Sequence, residues 1–393
     1  MKEELSVSLP HISLAEVPAL QGIVPEEPII PDEPLYERLS PPYDSPTAFF
    51  EHLFTPHVRD YFAGSFSALA LRDGRKHLKT LISPPSESEV LAEVTRLFPE
   101  ERHPRFLFGG GHGCTLALPE QRRILKIRYH AADPTVDAYT AALDLFCDMT
   151  YESDISYLLG TFPSFDQKPF VAPVVSQITT LSDDTPICAK MYTLYERLPG
   201  KSLGDLLRSD ELALRSPRWH TRRFLSDVSF TSLLRSLGLL DSDRKPDNVL
   251  VMRDGTSRYV DHEFVMTPRQ VQQAMITSDG KPWQGPGTTC YLAPERLIGD
   301  SSYPLAADIF SLACVYVTGA TGKHPYGVRR NDREVTVAYR LCEGEITNVS
   351  WDILSARVPA DIARVCISGL NKNPSNRPTI TDFVAVARQY GDI

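Results

Sequence analysis

Few folds can make use of four polar groups of three chemical kinds written so close together. Residues Asp243-Arg-Lys-Pro-Asp-Asn-Val-Leu250, followed by Tyr259-Val-Asp-His-Glu263, set a carboxylate, an ammonium, an amide and a second carboxylate along a loop and the two short strands beside it. Together these groups can orient a hydroxyl, neutralise a phosphate and hold magnesium through hard oxygen donors. The rest of the chain has to fold so that this set becomes accessible and fixed.

Length and composition leave room for that. The 393 residues suffice for one large two-lobed domain with an extension, or for two to three ordinary domains. Hydrophobic residues at 42% and charged residues at 23% are those of a soluble globular chain. A formal net charge of -9 argues against nucleic acid or an anionic membrane surface as the main partner. The seven cysteines are scattered, odd in number and form no C-x-x-C pair. They indicate neither a disulfide framework nor a zinc site, and a reducing compartment suits them. The start, Met1-Lys-Glu-Glu-Leu5, lacks the basic and apolar regions of a secretory leader, so a cytoplasmic location is expected. The longest apolar run, Pro304 to Gly319, contains Asp308 and Ser311 and is too short to span a bilayer comfortably. It reads as a buried helix.

Composition divides the chain into three segments. Residues 1–48 are rich in proline and acid and cannot bury enough apolar surface to offset their ordering entropy. They read as an extended or disordered arm, either simply solvated or used for docking. Residues 49–104 read as a helical extension packed on the third segment. In it, Ser86 is an N-cap with Glu89 completing a capping box, and Val90, Leu91, Val94 and Leu97 form one face. The third segment, residues 105–393, begins with short strands (Ile124 to Tyr129, Ile187 to Leu194). It turns mostly helical after Pro199-Gly200, with apolar periods at Leu203 to Leu207, Arg223 to Leu237, Ala306 to Thr318, Arg333 to Leu341, Ala360 to Leu370 and Ile380 to Tyr390.

An Asp two residues before Lys-Pro-x-Asn, with an apolar run and then a strand-borne Asp, closely resembles the catalytic and metal-binding loops of the protein-kinase family. The resemblance runs from about Phe106 to Tyr390. It implies an α+β, two-lobed fold, with a small β-rich N-lobe over about 105–198, a large helical C-lobe over about 199–393, and an N-terminal extension. It implies ATP and Mg2+ as cofactors and a protein substrate with a Ser or Thr acceptor. Asp243 takes the place of the catalytic base and Lys245 that of the group stabilising the transferred phosphoryl. Asn248 and Asp261 take the places of the magnesium ligands. Gly287-Thr-Thr-Cys-Tyr-Leu-Ala-Pro-Glu295 resembles the substrate-binding loop, with Thr288 bridging Asp243 and Lys245 and Glu295 paired with Arg377. Asp308 would anchor the catalytic loop from the central helix.

The small lobe carries a looser resemblance. Gly109-Gly-Gly-His-Gly-Cys114 is a glycine-rich turn ahead of a strand lysine, and Gly109, Gly110, Gly111 and Gly113 could let backbone N–H groups approach phosphate. Lys126, between apolar neighbours on its strand, would contact the α- and β-phosphates. Glu152 is the chosen helix partner for it, with Asp144 and Asp148 as competitors. Tyr192 to Gly200 resembles the segment between lobes, with Tyr195 before it and Glu196 to Leu198 reading the adenine edge.

Three motifs depart from the family, in groups that pack or regulate, while the groups that do the chemistry are kept. Asp241-Ser242-Asp243 stands for His-Arg-Asp, Asp261-His262-Glu263 for Asp-Phe-Gly, and Cys114 for the third phosphate-loop glycine. An active serine/threonine kinase is therefore the leading reading. A pseudokinase scaffold and a kinase-fold enzyme acting on a small molecule are the alternatives.

Overall fold

The computed structural model describes residues 6–7, 85–110, 113–131, 145, 149, 151, 155, 171, 173–182, 188–209, 211–276, 285–329, 331–346 and 348–391. Glu152, its competitors Asp144 and Asp148, and Gly111 lie outside these residues, as do 49–84 and all of the arm except Ser6–Val7. The chain divides into two compact units, one of residues 1–164 and 171–198, the other of 165–170 and 199–393.

The first unit is β-rich. Its strands are β1 (Ser6–Val7), β2 (Arg105–Gly110), β3 (Gly113–Leu118), β4 (Arg123–Ala131), β5 (Pro173–Ser182) and β6 (Cys188–Glu196). They form one antiparallel sheet in the order β1-β5-β6-β4-β3-β2. Side chains alternate between the faces of a strand. On β4 that places Leu125, Ile127 and Tyr129 on one face and Lys126, Arg128 and His130 on the other.

The first of those faces is covered by helix α1 (Glu87–Leu97). The capping box is present: Ser86 N donates to Glu89 Oε2 at 2.8 Å, and Glu89 N donates to Ser86 Oγ at 3.4 Å. Val90 and Val94 are buried against Cys114, Leu116, Leu118, Leu125, Ile127, Tyr129 and Tyr192, with Leu91 and Leu97 at the margin. One polar contact crosses this apolar layer. Glu93 accepts from Lys190 Nζ at 2.6 and 2.8 Å and from the Tyr192 hydroxyl at 2.5 Å. Lys190 also lies over the Tyr129 and Tyr192 rings, 5.5 and 5.6 Å from their centroids.

The second unit is helical. It contains α2 (Leu203–Arg208), α3 (Pro217–Ser236), α4 (Pro268–Ala274), α5 (Pro294–Leu297), α6 (Pro304–Thr321), α7 (Glu334–Cys342), α8 (Asn348–Arg357), α9 (Ala360–Gly369) and α10 (Ile380–Ala387). The apolar run read from the sequence is α6, buried from Ala307 to Thr321. It is long and apolar enough to cross a membrane, yet it forms the core. Phe310, Ala313 and Val317 pack with Phe224 and Val228 of α3, Ile362 and Cys366 of α9, and Phe383 of α10. Both units together give the α+β class that the sequence implies.

The same unit holds two small ladders. One joins β7 (Lys201–Ser202), β9 (Val249–Val251) and β10 (Ser257–Tyr259); the other joins β8 (Leu240–Asp241) and β11 (Val265–Met266). These short pairings position the loop that carries Asp243, Lys245 and Asn248.

Candidate active site

The loop from Ser242 to Asn248 is pinned at both ends. At its start, Asp241 pairs with Val265 across the β8–β11 ladder, and Ser242 N donates to Phe264 O at 2.9 Å. At its end, Pro246–Asn248 form a 3-10 turn that runs into β9, and Val260 N donates to Asn248 O at 3.1 Å. The segment carrying Asp261 is therefore held alongside the segment carrying Asp243. Asp261 itself adopts a left-handed backbone at φ 64°, an uncommon conformation for a residue with a side chain.

Asp243 is buried and fully engaged. Its Oδ2 accepts from Lys245 Nζ at 2.5 Å and its Oδ1 from Thr288 Oγ1 at 2.7 Å. Its backbone carbonyl accepts from Asn248 Nδ2 at 3.2 Å, and its N–H donates to Asp241 Oδ1 at 3.1 Å. Thr288 thus reaches Asp243, but the expected bridge to Lys245 is not formed: Lys245 bonds Asp243 directly, through the other carboxylate oxygen. Burial works against the charge on Lys245, but Asp243, with Asp261 and Asp241, outweighs it and raises the lysine pKa. The Lys245 ammonium is a fixed cation bonded to the Asp243 carboxylate.

Beneath the loop lies a layer that sequence reasoning missed. Arg244 is fully buried, donates to the Tyr259 hydroxyl at 3.2 Å and pairs with Asp308 at 3.5 Å. Its guanidinium lies over the rings of Phe230 and Tyr259, which stack at 3.9 Å. Asp308 also pairs with Arg235 at 3.0 Å. The anchor expected from Asp308 exists, and it acts through the Arg244 side chain. Burial pushes the Asp241 carboxyl up to about 7; Arg244 opposes the shift, while Asp308 and Asp243 add to it.

The expected Glu295–Arg377 pair is bidentate at 2.5 and 2.7 Å, and Arg377 also donates to the carbonyls of Asn371, Lys372 and Ala306. It ties the start of α5 to the turn before α10 and to the start of α6.

In the β-rich unit, Lys126 is half-buried, in register with Thr115 and Thr193 and on the face away from α1. Glu196 is exposed and ends β6, and Leu198 is half-buried just beyond it. Gly109 and Gly110 pair with Cys114 and Gly113 in the β2–β3 hairpin. Two of these glycines have steric reasons of their own. A Cβ on Gly113 would stand 2.1 Å from Ile127 O, and one on Gly109 would stand 2.9 Å from the Phe106 ring. The hairpin needs glycine at Gly113 in order to lie against β4, whatever else it binds.

A family model described as protein kinase domain matches residues 173–387, more than half of the chain and starting at β5. The chain is 29% identical over 197 residues to mitogen-activated protein kinase kinase kinase mkh1 of Cytospora mali, covering 48% of this chain and 10% of that one. It is 27% identical over 198 residues to mitogen-activated protein kinase kinase 2 of Arabidopsis thaliana, covering 49% and 50%. Serine/threonine-protein kinase PknD of Mycobacterium tuberculosis is 31% identical over 150 residues, covering 38% and 21%. The chain thus spans at most about half the length of these relatives.

Proposed function

The chain belongs to the protein kinase family, and from that premise we propose that it transfers the γ-phosphate of ATP to Ser or Thr hydroxyls of a protein substrate. The observation that carries this reading is the double hold on Asp243, by Lys245 at 2.5 Å and Thr288 at 2.7 Å. Phosphoryl transfer asks little covalent chemistry of the protein and depends on position and charge. Asp243 accepts the hydroxyl proton as transfer proceeds, on a carboxylate whose rotation is already frozen. Lys245 stabilises negative charge on the phosphoryl group in flight.

Asn248 and Asp261 fit a magnesium ion by the chemistry of their donors. The Asn248 amide donates to the Asp243 carbonyl, so its oxygen remains for a cation, and the Asp261 carboxylate is near enough to raise the Lys245 pKa. Both present hard oxygen, as magnesium prefers. When bound, the ion neutralises phosphate charge. Lys126, the backbone at Gly109, Gly110, Gly111 and Gly113, and the Glu196 to Leu198 segment are proposed to hold ATP, with Glu152 orienting Lys126.

The test is transfer of labelled phosphate from Mg-ATP to a generic protein substrate by the purified chain, followed by phosphoamino-acid analysis. Phosphoserine or phosphothreonine is the expected product. Asp261→Asn and Lys126→Ala should each lower kcat/KM by at least about 10²-fold while circular dichroism is unchanged. An Asp261→Asn variant as active as the parent at saturating Mg-ATP would remove Asp261 from the metal site. A parent that transfers nothing would favour the scaffold reading.

A further inference from the structure

The guanidinium of Arg296 spans two segments that the chemistry needs in register. Arg296 follows Glu295 in α5 and is 4% exposed. Its Nη1 donates to the Ser242 carbonyl at 3.3 Å, on the residue immediately before Asp243. Its Nη2 donates to the Pro286 carbonyl, two residues before Thr288. Those two carbonyls flank the Thr288–Asp243 side-chain bond.

The chain around the guanidinium is shaped to it. Gly285 and Gly287 both have positive φ, at 72° and 135°. A Cβ on Gly285 would stand 3.1 Å from Arg296 Nη2, and one on Gly287 would stand 2.5 Å from the Ser242 carbonyl. The turn through Pro286 thus closes on the Arg296 guanidinium at Gly285 and on the Ser242 carbonyl at Gly287. Burial lowers the Arg296 pKa to about 10, against the pull of Glu295, Asp243 and Asp308, so the side chain is a cation at neutral pH. Glu295 is committed to Arg377, and the bonds to the Ser242 and Pro286 carbonyls help fix where the Arg296 cation sits.

Resting on the kinase reading of Asp243, we propose that Arg296 is a positioning residue, a built-in tether that holds the Asp243 loop and the Thr288 segment in register without a phosphate. Ser242 has no guanidinium with which to grip a phosphorylated segment. Arg296 supplies one from the other side, and the two carbonyls it bonds on Ser242 and Pro286 are always present. A planar fork can bridge two carbonyls at fixed angles; a lysine ammonium is a point charge that cannot.

The experiment uses the full chain, Arg296→Lys and Arg296→Met, with Mg-ATP and dephosphorylated casein as the probe. Kinetics are measured with and without prior phosphatase treatment. Hydrogen exchange is followed in peptides covering 240–250, 285–292 and α6. Both variants should lose about 10²-fold in kcat, the cost of misplacing the reacting groups, with KM for ATP changed by less than about threefold. Exchange should rise in 240–250 and 285–292 and stay unchanged in α6. Phosphatase treatment should leave the parent within about twofold of its untreated rate, where a phosphate-dependent switch would cost orders of magnitude. The proposal is overturned by an Arg296→Lys variant of parental activity, by exchange unchanged in both segments or raised equally in α6, or by a parent that phosphatase silences. If the parent transfers no phosphate, the kinase reading fails by itself, and the exchange pattern alone decides whether Arg296 is the tether.

Discussion

At the scale of single residues, the site depends on a buried cation that the sequence reads as one more polar loop residue. Arg244 has no exposed side-chain surface and sits among Asp241, Asp308, Tyr259 and Phe230. Removing one member of a buried charge pair leaves the other uncompensated, which costs far more than the pair contributes. Arg244→Met should therefore destabilise the chain by about 3–5 kcal/mol in urea denaturation. Adding Asp241→Asn removes one of the stranded carboxylates, so the double variant should recover at least about 1 kcal/mol relative to additivity. Strict additivity would mean that Arg244 does not compensate Asp241. Arg244 and Arg296 escape sequence reasoning for the same reason. Their partners include backbone carbonyls and side chains as distant as Tyr259 and Asp308, and neither kind leaves a local pattern. Asp243, Lys245, Asn248 and Asp261 are legible because their chemistry and spacing are compressed into about twenty residues, the close spacing of catalytic and metal loops in the kinase pattern.

At the scale of elements, α1 shows how a helix outside the family match becomes part of a unit. Its Val90 and Val94 complete the apolar layer on one face of the sheet, and its Glu93 compensates Lys190 within that layer. Burial opposes the charge on Glu93, but the hydrogen bonds from Lys190 and Tyr192 prevail and hold its pKa below the usual value. Glu93→Leu would leave the Lys190 ammonium buried without a carboxylate, and thermal or urea unfolding should report a loss of about 3 kcal/mol. Pairing it with Lys190→Met should restore most of that loss. A single variant as stable as the parent would show that α1 is held by its apolar face alone. Both signals for α1, the capping box at Ser86 and the apolar face, are in the sequence. Helix α6 is legible by its long apolar run, which Asp308 and Ser311 do not break up. Helix α8 is not, because its residues form no apolar stripe. Helix α4 and strand β5 are absent from the sequence reading although their signals are present: a capping box from Thr267 to Gln270, and the β-branched residues Val174, Val175, Ile178, Thr179 and Thr180 in one short stretch. The apolar period alone starts α3 at Arg223, whereas the N-cap Ser216 and the following Pro217 mark where it begins.

At the scale of the whole molecule, two buried groups give stability opposite dependences on pH. His220 lies in α3 with no exposed surface, and burial lowers its pKa to about 3, helped by Arg223, Arg357 and Arg215. An unfolded His220 takes a proton as pH falls below its ordinary 6.5, whereas the folded one does not until about 3. The unfolded state binds more protons across that window, so stability is lost as pH falls through it. Asp241 runs the other way. Its unfolded carboxyl loses its proton near 3.8, and the folded one keeps it up to about 7. The folded state binds more protons between those values, so stability is lost as pH rises from about 4 to 7. A tenfold change in proton affinity is worth about 1.4 kcal/mol, so either limb can amount to a few kcal/mol. The parent should therefore be most stable in weakly acid solution, near pH 5 to 6, where neither group has run its full course. His220→Phe should make the acid limb shallower, the buried His324, lowered to about 4 by burial, keeping part of it, and leave the neutral limb intact; Asp241→Asn should weaken the neutral limb and leave the acid limb. Urea denaturation midpoints from pH 4 to pH 8 check both. Parallel pH profiles for the parent and either variant would show that the altered side chain is not the group whose protons are linked to folding.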